Sequence, residues 1–145
     1  MTRLPFPCLW FLCLPFAASL QAQEAPQRIV SMNLCTDQLL LLLVEPHRIA
    51  ALSYLAADPA YSPLAAQARA IAANRGQAEE VLAFAPDLIL TSQFSATLAA
   101  NLLERLGHPV QRLGFATTAG EVYAQLRAVA AWTGTEARAE QLIST

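Results

Sequence analysis

The chain has 145 residues, which is the length of one domain. It carries nine arginines, no lysine and eleven acidic residues, for a formal charge of −2. Without a basic run, or aromatic residues interleaved with basic ones, this composition excludes the usual nucleic-acid-binding proteins.

The first 22 residues have the pattern of a secretory signal peptide. Arg3 supplies a positive start, residues 9–14 and 16–18 are apolar, and small or polar residues lead to Ala22. The apolar run is too short, and too clearly broken by Pro15, for a bilayer core of roughly 30 Å. We therefore expect residues 1–22 to be a cleavable signal peptide of an exported protein.

The cysteines and histidines indicate neither a disulfide nor a bound metal. Cys8 and Cys13 leave with the signal peptide, so Cys35 remains alone and stability must come from a packed core. His47 and His108 each lie beside a proline, with no carboxylate at ligand spacing. We expect no metal site and no cofactor.

The rest of the chain alternates short apolar segments with longer helical stretches. Strands are predicted at 28–33, 48–53, 70–73, 87–91 and 109–113, and helices at 38–44, 62–69, 77–84, 95–106, 118–134 and from 135 onward. Strands that alternate with crossover helices form a parallel sheet covered on both faces. The sequence thus predicts the α/β class: a Rossmann-like, three-layer αβα lobe with a mostly parallel sheet.

Polar residues mark several of the predicted helix starts. Asn33 or Thr36 can cap the first helix, Ser62 precedes a proline at the start of the second, and Ser95 can cap the fourth. In the fourth helix, the apolar stripe is predicted from its leucines at 98, 102, 103 and 106. Thr118 and Glu121 have the spacing of a capping box.

Polar and aromatic residues follow the predicted strands. Ligands of open parallel sheets bind outside the carboxyl ends of the strands. The candidate ligand-binding residues there are Ser31, Met32, Asn33, Ser53, Tyr54, Asn74, Arg75, Gln93 and Phe94. Arg75 is the strongest candidate, because a guanidinium can hold a carboxylate or phosphate through two bonds. Tyr54 and Phe94 are explained equally well by packing against a neighbouring loop.

Enzyme motifs are missing from the sequence. It has no Gly-x-Ser-x-Gly elbow, no Walker loop and no dinucleotide-binding glycine pattern. Cys35 lies at a helix start, where a thiol can act as a nucleophile, but a small packed residue is the simpler interpretation. The alternatives kept open are a secreted α/β hydrolase fragment using Ser31, Ser53 or Cys35, and a scaffold lobe without a ligand.

Two segments resemble one known family. Residues 29–40 (IVSMNLCTDQLL) resemble the opening strand, ligand-facing loop and first helix of class III periplasmic binding proteins. Residues 76–90 (GQAEEVLAFAPDLIL) are similar to that family's helix-to-strand signature, with Pro-Asp-Leu-Ile intact at 86–89. The resemblance extends from Gln27 to Thr145.

The resemblance implies a periplasmic component of an ABC importer that is not an enzyme. Such proteins hold cobalamin, a ferric siderophore or haem between two lobes joined by a long helix, and deliver it to a permease in the inner membrane. By this comparison residues 23–134 are the first lobe and residues 135–145 begin the interlobe helix, which is truncated. Glu79, or less favourably Glu80, takes the place of the family's permease-docking glutamate.

Overall fold

A five-stranded parallel sheet forms the centre of the protein. The computed structural model describes residues 24–145, so the predicted signal peptide lies outside the described residues. The strands are β1 (Ile29–Ser31), β2 (Ile49–Ser53), β3 (Ala73–Asn74), β4 (Leu88–Ser92) and β5 (Val110–Leu113), in the spatial order β3-β2-β1-β4-β5. All the pairings are parallel. The predicted fold class is confirmed.

Helices cover both faces of this sheet. They are α1 (Leu34–Leu43), α2 (Ala65–Ala68), α3 (Ala78–Ala83), α4 (Thr97–Arg105), α5 (Ala119–Thr133) and α6 (Glu136–Ile143). Because successive strand residues point to opposite faces, Ile29 joins the core beneath α1, α5 and α6, whereas Val30 joins the core beneath α3 and α4. No helix within residues 24–145 is both long and apolar enough to cross a membrane.

Two of the predicted caps are present and set the helix boundaries. The Asn33 side chain accepts a hydrogen bond from the Cys35 amide at 2.9 Å, so α1 begins four residues earlier than predicted. Thr118 and Glu121 form the full capping box of α5, which ends at Gly134 in the left-handed conformation that glycine favours.

The predicted start of α4 is wrong, and its predicted apolar stripe is right only at Leu103. The N-cap is Ala96 rather than Ser95, and the leucines at 98, 102 and 106 are exposed. Leu103 is fully buried together with Ala100, and Ala99 packs against the same cluster. The inward face of α4 therefore combines one leucine with small alanines.

Helix α6 packs back onto the lobe. Arg127 of α5 and Glu140 of α6 form a two-bond ion pair with N–O distances of 2.6 and 3.0 Å. Arg138 Nε donates to the Leu42 carbonyl at 3.2 Å, and Ala139 is fully buried. The boundary between residues 134 and 135, and the extension of α6 into an interlobe helix, remain predictions.

The Pro-Asp pair before β4 fastens the two central strands at their amino ends. The Asp87 carboxylate accepts hydrogen bonds from the amides of Gln27 and Arg28, at 2.6 and 2.9 Å. The Arg28 guanidinium in turn donates to the Phe84 carbonyl at the end of α3, with Nε–O and Nη2–O distances of 2.9 and 2.5 Å. These contacts give the Asp of this motif a structural role.

Candidate functional site

The loops at the carboxyl edge of the sheet are fastened by buried polar side chains. Asn74 is 2% exposed, and its side-chain amide donates to the carbonyls of Ser31 and Leu52 at 2.9 and 2.8 Å. Its side-chain oxygen accepts from the Gly76 amide at 2.9 Å. One asparagine therefore joins the ends of β1, β2 and β3 and fixes the turn that follows.

Asp37 connects α1 to β2 in the same way. Its carboxylate is fully buried and accepts hydrogen bonds from the Ser53 amide, at 3.0 Å, and from the Ser53 hydroxyl. Burial raises the pKa of Asp37 to about 6, although the hydrogen bonds from serine oppose the shift. Ser31 is also fully buried, and its hydroxyl lies 2.6 Å from that of Thr36.

The loops after β1, β3 and β4 meet above the sheet. The Asn33 side-chain amide donates to the Ser95 hydroxyl at 3.0 Å. Gly76 lies against the other two loops, since a Cβ at this position would lie 3.6 Å from Ala96 Cβ and 3.9 Å from Met32 Cε. Ala96 has a φ of 49°, a conformation that alanine rarely adopts and that marks functional loops more often than ordinary ones.

The predicted ligand residues therefore separate into two groups. Ser31, Met32, Ser53 and Asn74 are buried and belong to the framework of the edge, and Asn33 is half-buried. The residues that face solvent are Tyr54, Arg75, Gln93 and Phe94. Among residues 24–145 the Arg75 guanidinium has no hydrogen-bond partner, so it is free to meet a ligand. Which of these residues contact a ligand remains a prediction.

Sequence reasoning missed Phe115, which lies at this edge after β5. Its ring stacks on that of Phe94, with centroids 4.9 Å apart and an angle of 23° between the ring planes. The side chains are 63% and 76% exposed for Phe94 and Phe115. The strand-end rule applied to the other strands would have found Phe115, because a strand was already predicted at 109–113.

The two candidate docking glutamates have different surroundings. Glu80 reaches back from the first turn of α3, and its carboxylate accepts from the Arg75 amide at 2.6 Å. Glu79 is exposed and has no hydrogen-bond partner among the described residues. Of the two, Glu79 is therefore the carboxylate that a partner protein could bind without breaking a bond inside the lobe.

The serines of the hydrolase alternative and the two histidines lie at opposite edges of the sheet. Ser31 and Ser53 end their strands, whereas His47 precedes β2 and His108 precedes β5. A five-residue strand advances about 3.3 Å per residue, so β2 places roughly 16 Å between His47 and Ser53. Cys35 is at the carboxyl edge too and is exposed, so its interpretation as a small packed residue is wrong. Neither histidine is therefore placed to act as a general base for these groups, and the carboxylate that Ser53 does contact, that of Asp37, is fully buried.

Two depressions in the lobe surface lie away from this edge. One of about 480 Å³ is lined by Asp87, Trp132 and Glu136, among others, and one of about 550 Å³ by Leu42, Arg48 and Arg138, among others. Neither includes any predicted ligand residue. In residues 24–145 no three His, Cys, Asp or Glu side chains are grouped as metal ligands.

Several solved structures that are similar in fold to this chain are described as periplasmic binding proteins. One, described as a possible iron-binding (periplasmic solute-binding) protein from Staphylococcus epidermidis, is 21% identical with a TM-score of 0.70, over 83% of this chain and 47% of that one. A periplasmic heme binding protein from Pseudomonas aeruginosa is 23% identical with a TM-score of 0.64, over 80% and 41%. A FhuD fold-family component of a Fep/Fec-like ferrichrome ABC transporter from Bacillus subtilis is 21% identical with a TM-score of 0.61, over 82% and 42%.

These structures share the fold and are longer than this chain, which spans less than half of their length. No curated protein sequence matches it significantly. The sequence profile of the family described as "Periplasmic binding protein" matches residues 29–145, which cover every strand and helix of the lobe. The chain belongs to the periplasmic binding protein family.

Proposed function

We propose that this chain is the first lobe of the periplasmic solute-binding component of an ABC importer. It captures an iron complex or cobalamin at the carboxyl edge of its sheet, a second lobe closes over the ligand, and the loaded protein delivers it to the permease. The role is binding, without catalysis. The observation that carries the proposal is the carboxyl edge, whose loops are hydrogen-bonded to one another while Tyr54, Arg75 and the stacked rings of Phe94 and Phe115 face solvent.

The chemistry of this edge suits a large ligand with apolar parts and anionic groups. The exposed rings supply apolar surface, and Arg75 supplies a guanidinium for a carboxylate or phosphate. The names of the structural relatives, which mention iron, heme and ferrichrome, favour an iron complex over cobalamin.

A ligand panel tests this proposal by calorimetry. The 145-residue chain should bind haem, ferric siderophores or cobalamin weakly, because good pockets bury roughly 70–90% of a ligand's surface and one lobe covers only one side. A longer form with a second lobe should bind one member of the panel far more tightly. Failure of the two-lobed form to bind any member would contradict the proposed function. Submicromolar binding by the single lobe would contradict the claim that this lobe forms only half of the binding site.

Glu79 is the proposed contact with the permease. In the family that the sequence resembles, a glutamate seven residues before the Pro-Asp pair meets arginines of the transporter, and Glu79 has that position. Its exposure supports the assignment, and a charge-assisted bond to arginine would orient the lobe on the membrane protein. Glu80 is the weaker candidate because its carboxylate already holds the Arg75 amide.

The docking role is tested with Glu79→Arg in a two-lobed form, measuring ligand affinity and transporter ATPase stimulation separately. We expect unchanged affinity and reduced stimulation. Glu136→Arg, an exposed first-turn acid of α6 in a different part of the lobe, is the matched control and should change neither. If Glu79→Arg also leaves stimulation intact, Glu79 is only an acid that complements the dipole of its helix.

Export is tested by mass spectrometry of the periplasmic protein. The charged start, apolar stretch and small-residue exit predict a mature chain that begins near Gln23. Recovery of a peptide containing Met1 or Arg3 from the mature protein would contradict cleavage.

A further inference from the structure

The stacked side chains of Phe94 and Phe115, called here the aromatic pair, indicate the chemical class of the ligand more specifically than the polar residues of the edge do. Resting on the proposed function, we infer that this pair is a stacking platform that selects ligands with a flat conjugated ring, such as a tetrapyrrole or a catecholate, over aliphatic chelates. Three observations support it: the geometry of the pair, the hydrogen bonds that hold its two loops, and the fact that most polar groups around it are already hydrogen-bonded within the lobe.

The geometry of the pair is that of an incomplete stack. The ring centroids are 4.9 Å apart at an interplanar angle of 23°, within the range of offset-stacked aromatic pairs. Both side chains are mostly exposed, so the ring surfaces that do not meet each other remain in water. A flat conjugated ring can extend this stack, whereas an aliphatic chain can offer only apolar area.

The two loops that carry the rings are held in place. Gln93 N donates to the Leu113 carbonyl at 2.9 Å, which joins the ends of β4 and β5 just before the rings. The Gln125 side chain donates to the Gly114 carbonyl at 2.9 Å, and the Glu121 carboxylate accepts from the amides of Thr117 and Thr118. Rings that are already positioned lose little conformational freedom when a ligand binds.

The groups that would recognise a hydrogen-bonding ligand are mostly engaged elsewhere. Ser31, Ser53 and Asn74 are buried and bonded within the lobe. The Ser95 hydroxyl accepts from Asn33. Among residues 24–145, the exposed groups of this edge therefore include the aromatic surface, the Arg75 guanidinium, the Gln93 amide and the Tyr54 hydroxyl. This small set of polar groups favours stacking with an anionic ring system over a dense pattern of hydrogen bonds.

Saturation-transfer NMR on the 145-residue chain tests this inference, because it reports weak binding and identifies the ligand protons nearest the protein. The probes are diamagnetic gallium(III) complexes: gallium protoporphyrin, a gallium tris-catecholate and a gallium tris-hydroxamate with aliphatic arms. We expect transfer to ring protons of the porphyrin or of the catecholate. Which of these two probes receives it shows whether the pair prefers a tetrapyrrole or a catecholate. The hydroxamate should show much less transfer.

Substitutions at the pair separate stacking from apolar contact. Phe94→Leu and Phe115→Leu keep an apolar side chain but remove the aromatic face, and each should weaken binding of the ring ligand by roughly 2- to 12-fold. The control is Leu98→Ala, at an 87% exposed apolar residue on α4 outside the pair, which should have no effect. Circular dichroism should show the same fold in every variant.

The outcomes distinguish this inference from the proposed function. Equal binding of the hydroxamate and the ring ligands, or full binding by both leucine variants, overturns the stacking platform and leaves solute capture in place. Absence of transfer to all three complexes also overturns the platform, whereas the proposed function is contradicted only if the two-lobed form binds no member of the calorimetric panel.

Discussion

The amino and carboxyl edges of the sheet use their arginines differently. At the amino edge, Arg28 donates to the Phe84 carbonyl, and Arg48 donates to the carbonyls of Pro26 and Thr133 at 2.8 and 2.6 Å. At the carboxyl edge, Arg75 is exposed, and within residues 24–145 its guanidinium bonds to nothing. The loops at that edge are held instead by Asn74, Asp37 and Asn33.

This difference indicates that the arginines of the amino edge stabilise the fold, whereas Arg75 at the carboxyl edge is available to recognise a ligand. Guanidinium groups at the amino edge satisfy carbonyls that would otherwise lack partners at helix and strand ends. An arginine at the carboxyl edge that contributes no internal bond is available to a ligand, and its removal should affect binding rather than folding. Four substitutions test whether the two edges differ in this way.

Asn74→Ala should have the largest effect on stability. It removes both hydrogen bonds to the Ser31 and Leu52 carbonyls and the acceptor of the Gly76 amide. Leaving buried groups unpaired should lower the free energy of unfolding by about 2–4 kcal/mol, measured by urea denaturation. Asn101→Ala, at an exposed asparagine that accepts from Arg112, should cost less than about 0.5 kcal/mol. Equal costs would show that Asn74 does not hold the carboxyl edge.

Asp37→Asn should change how stability depends on pH. Burial raises the pKa of Asp37 to about 6 from an unfolded value of 3.8, so the folded chain binds this proton more tightly than the unfolded chain does. Protonation of Asp37 therefore contributes to the free energy of unfolding fully below pH 3.8, and this contribution is lost as pH rises through about 6. The change amounts to at most about 3 kcal/mol. Because asparagine does not titrate, the variant should lack this loss. Its free energy of unfolding in urea, relative to that of the parent protein, should therefore rise from pH 4 to pH 7. Parallel curves would contradict the assignment.

Arg48→Ala and Arg75→Ala compare the two edges directly. Loss of the Arg48 bonds to two backbone carbonyls should cost about 1–2 kcal/mol of unfolding free energy, because bonds from charged donors are stronger than neutral ones. Arg75→Ala should change the free energy of thermal unfolding by less than about 0.5 kcal/mol. The same substitution should weaken the binding of an anionic ligand. If Arg75→Ala destabilises the lobe as much as Arg48→Ala, the distinction between the edges is lost.

The sequence predicted the parts of the fold that depend on neighbours along the chain. The strands at 48–53 and 87–91 and the capping box of Thr118 and Glu121 were predicted closely, because apolar runs and caps are local signals. The strand at 70–73 was placed too early, since β3 comprises only Ala73–Asn74 and is defined mainly by its pairing with β2.

The sequence predicted less about which side chains face a ligand. Asn74 was a reasonable ligand residue by position, but its partners Ser31 and Leu52 are distant in sequence and come close only in the folded sheet. The inward face of α4 was predicted only in part. Leu103 is buried as the leucine pattern predicts, but it shares that face with Ala100, while the leucines at 98, 102 and 106 are exposed.

The strand order also bears on how the lobe assembles as it is made. Strand β1 is synthesised first but lies at the centre of the sheet, between β2 and β4. Ile29 can pair with Ile49 early, whereas its partner on the other side, Leu88, is made much later. The two partners of Ile29 are therefore about 20 and about 60 residues away along the chain, so the pairing with β4 closes the longer loop. Until β4 joins, one edge of β1 presents unpaired backbone N–H and C=O groups within an apolar segment, and a holdase chaperone that covers residues 29–31 should raise the yield of folded lobe more than one acting on the late α5–α6 hairpin.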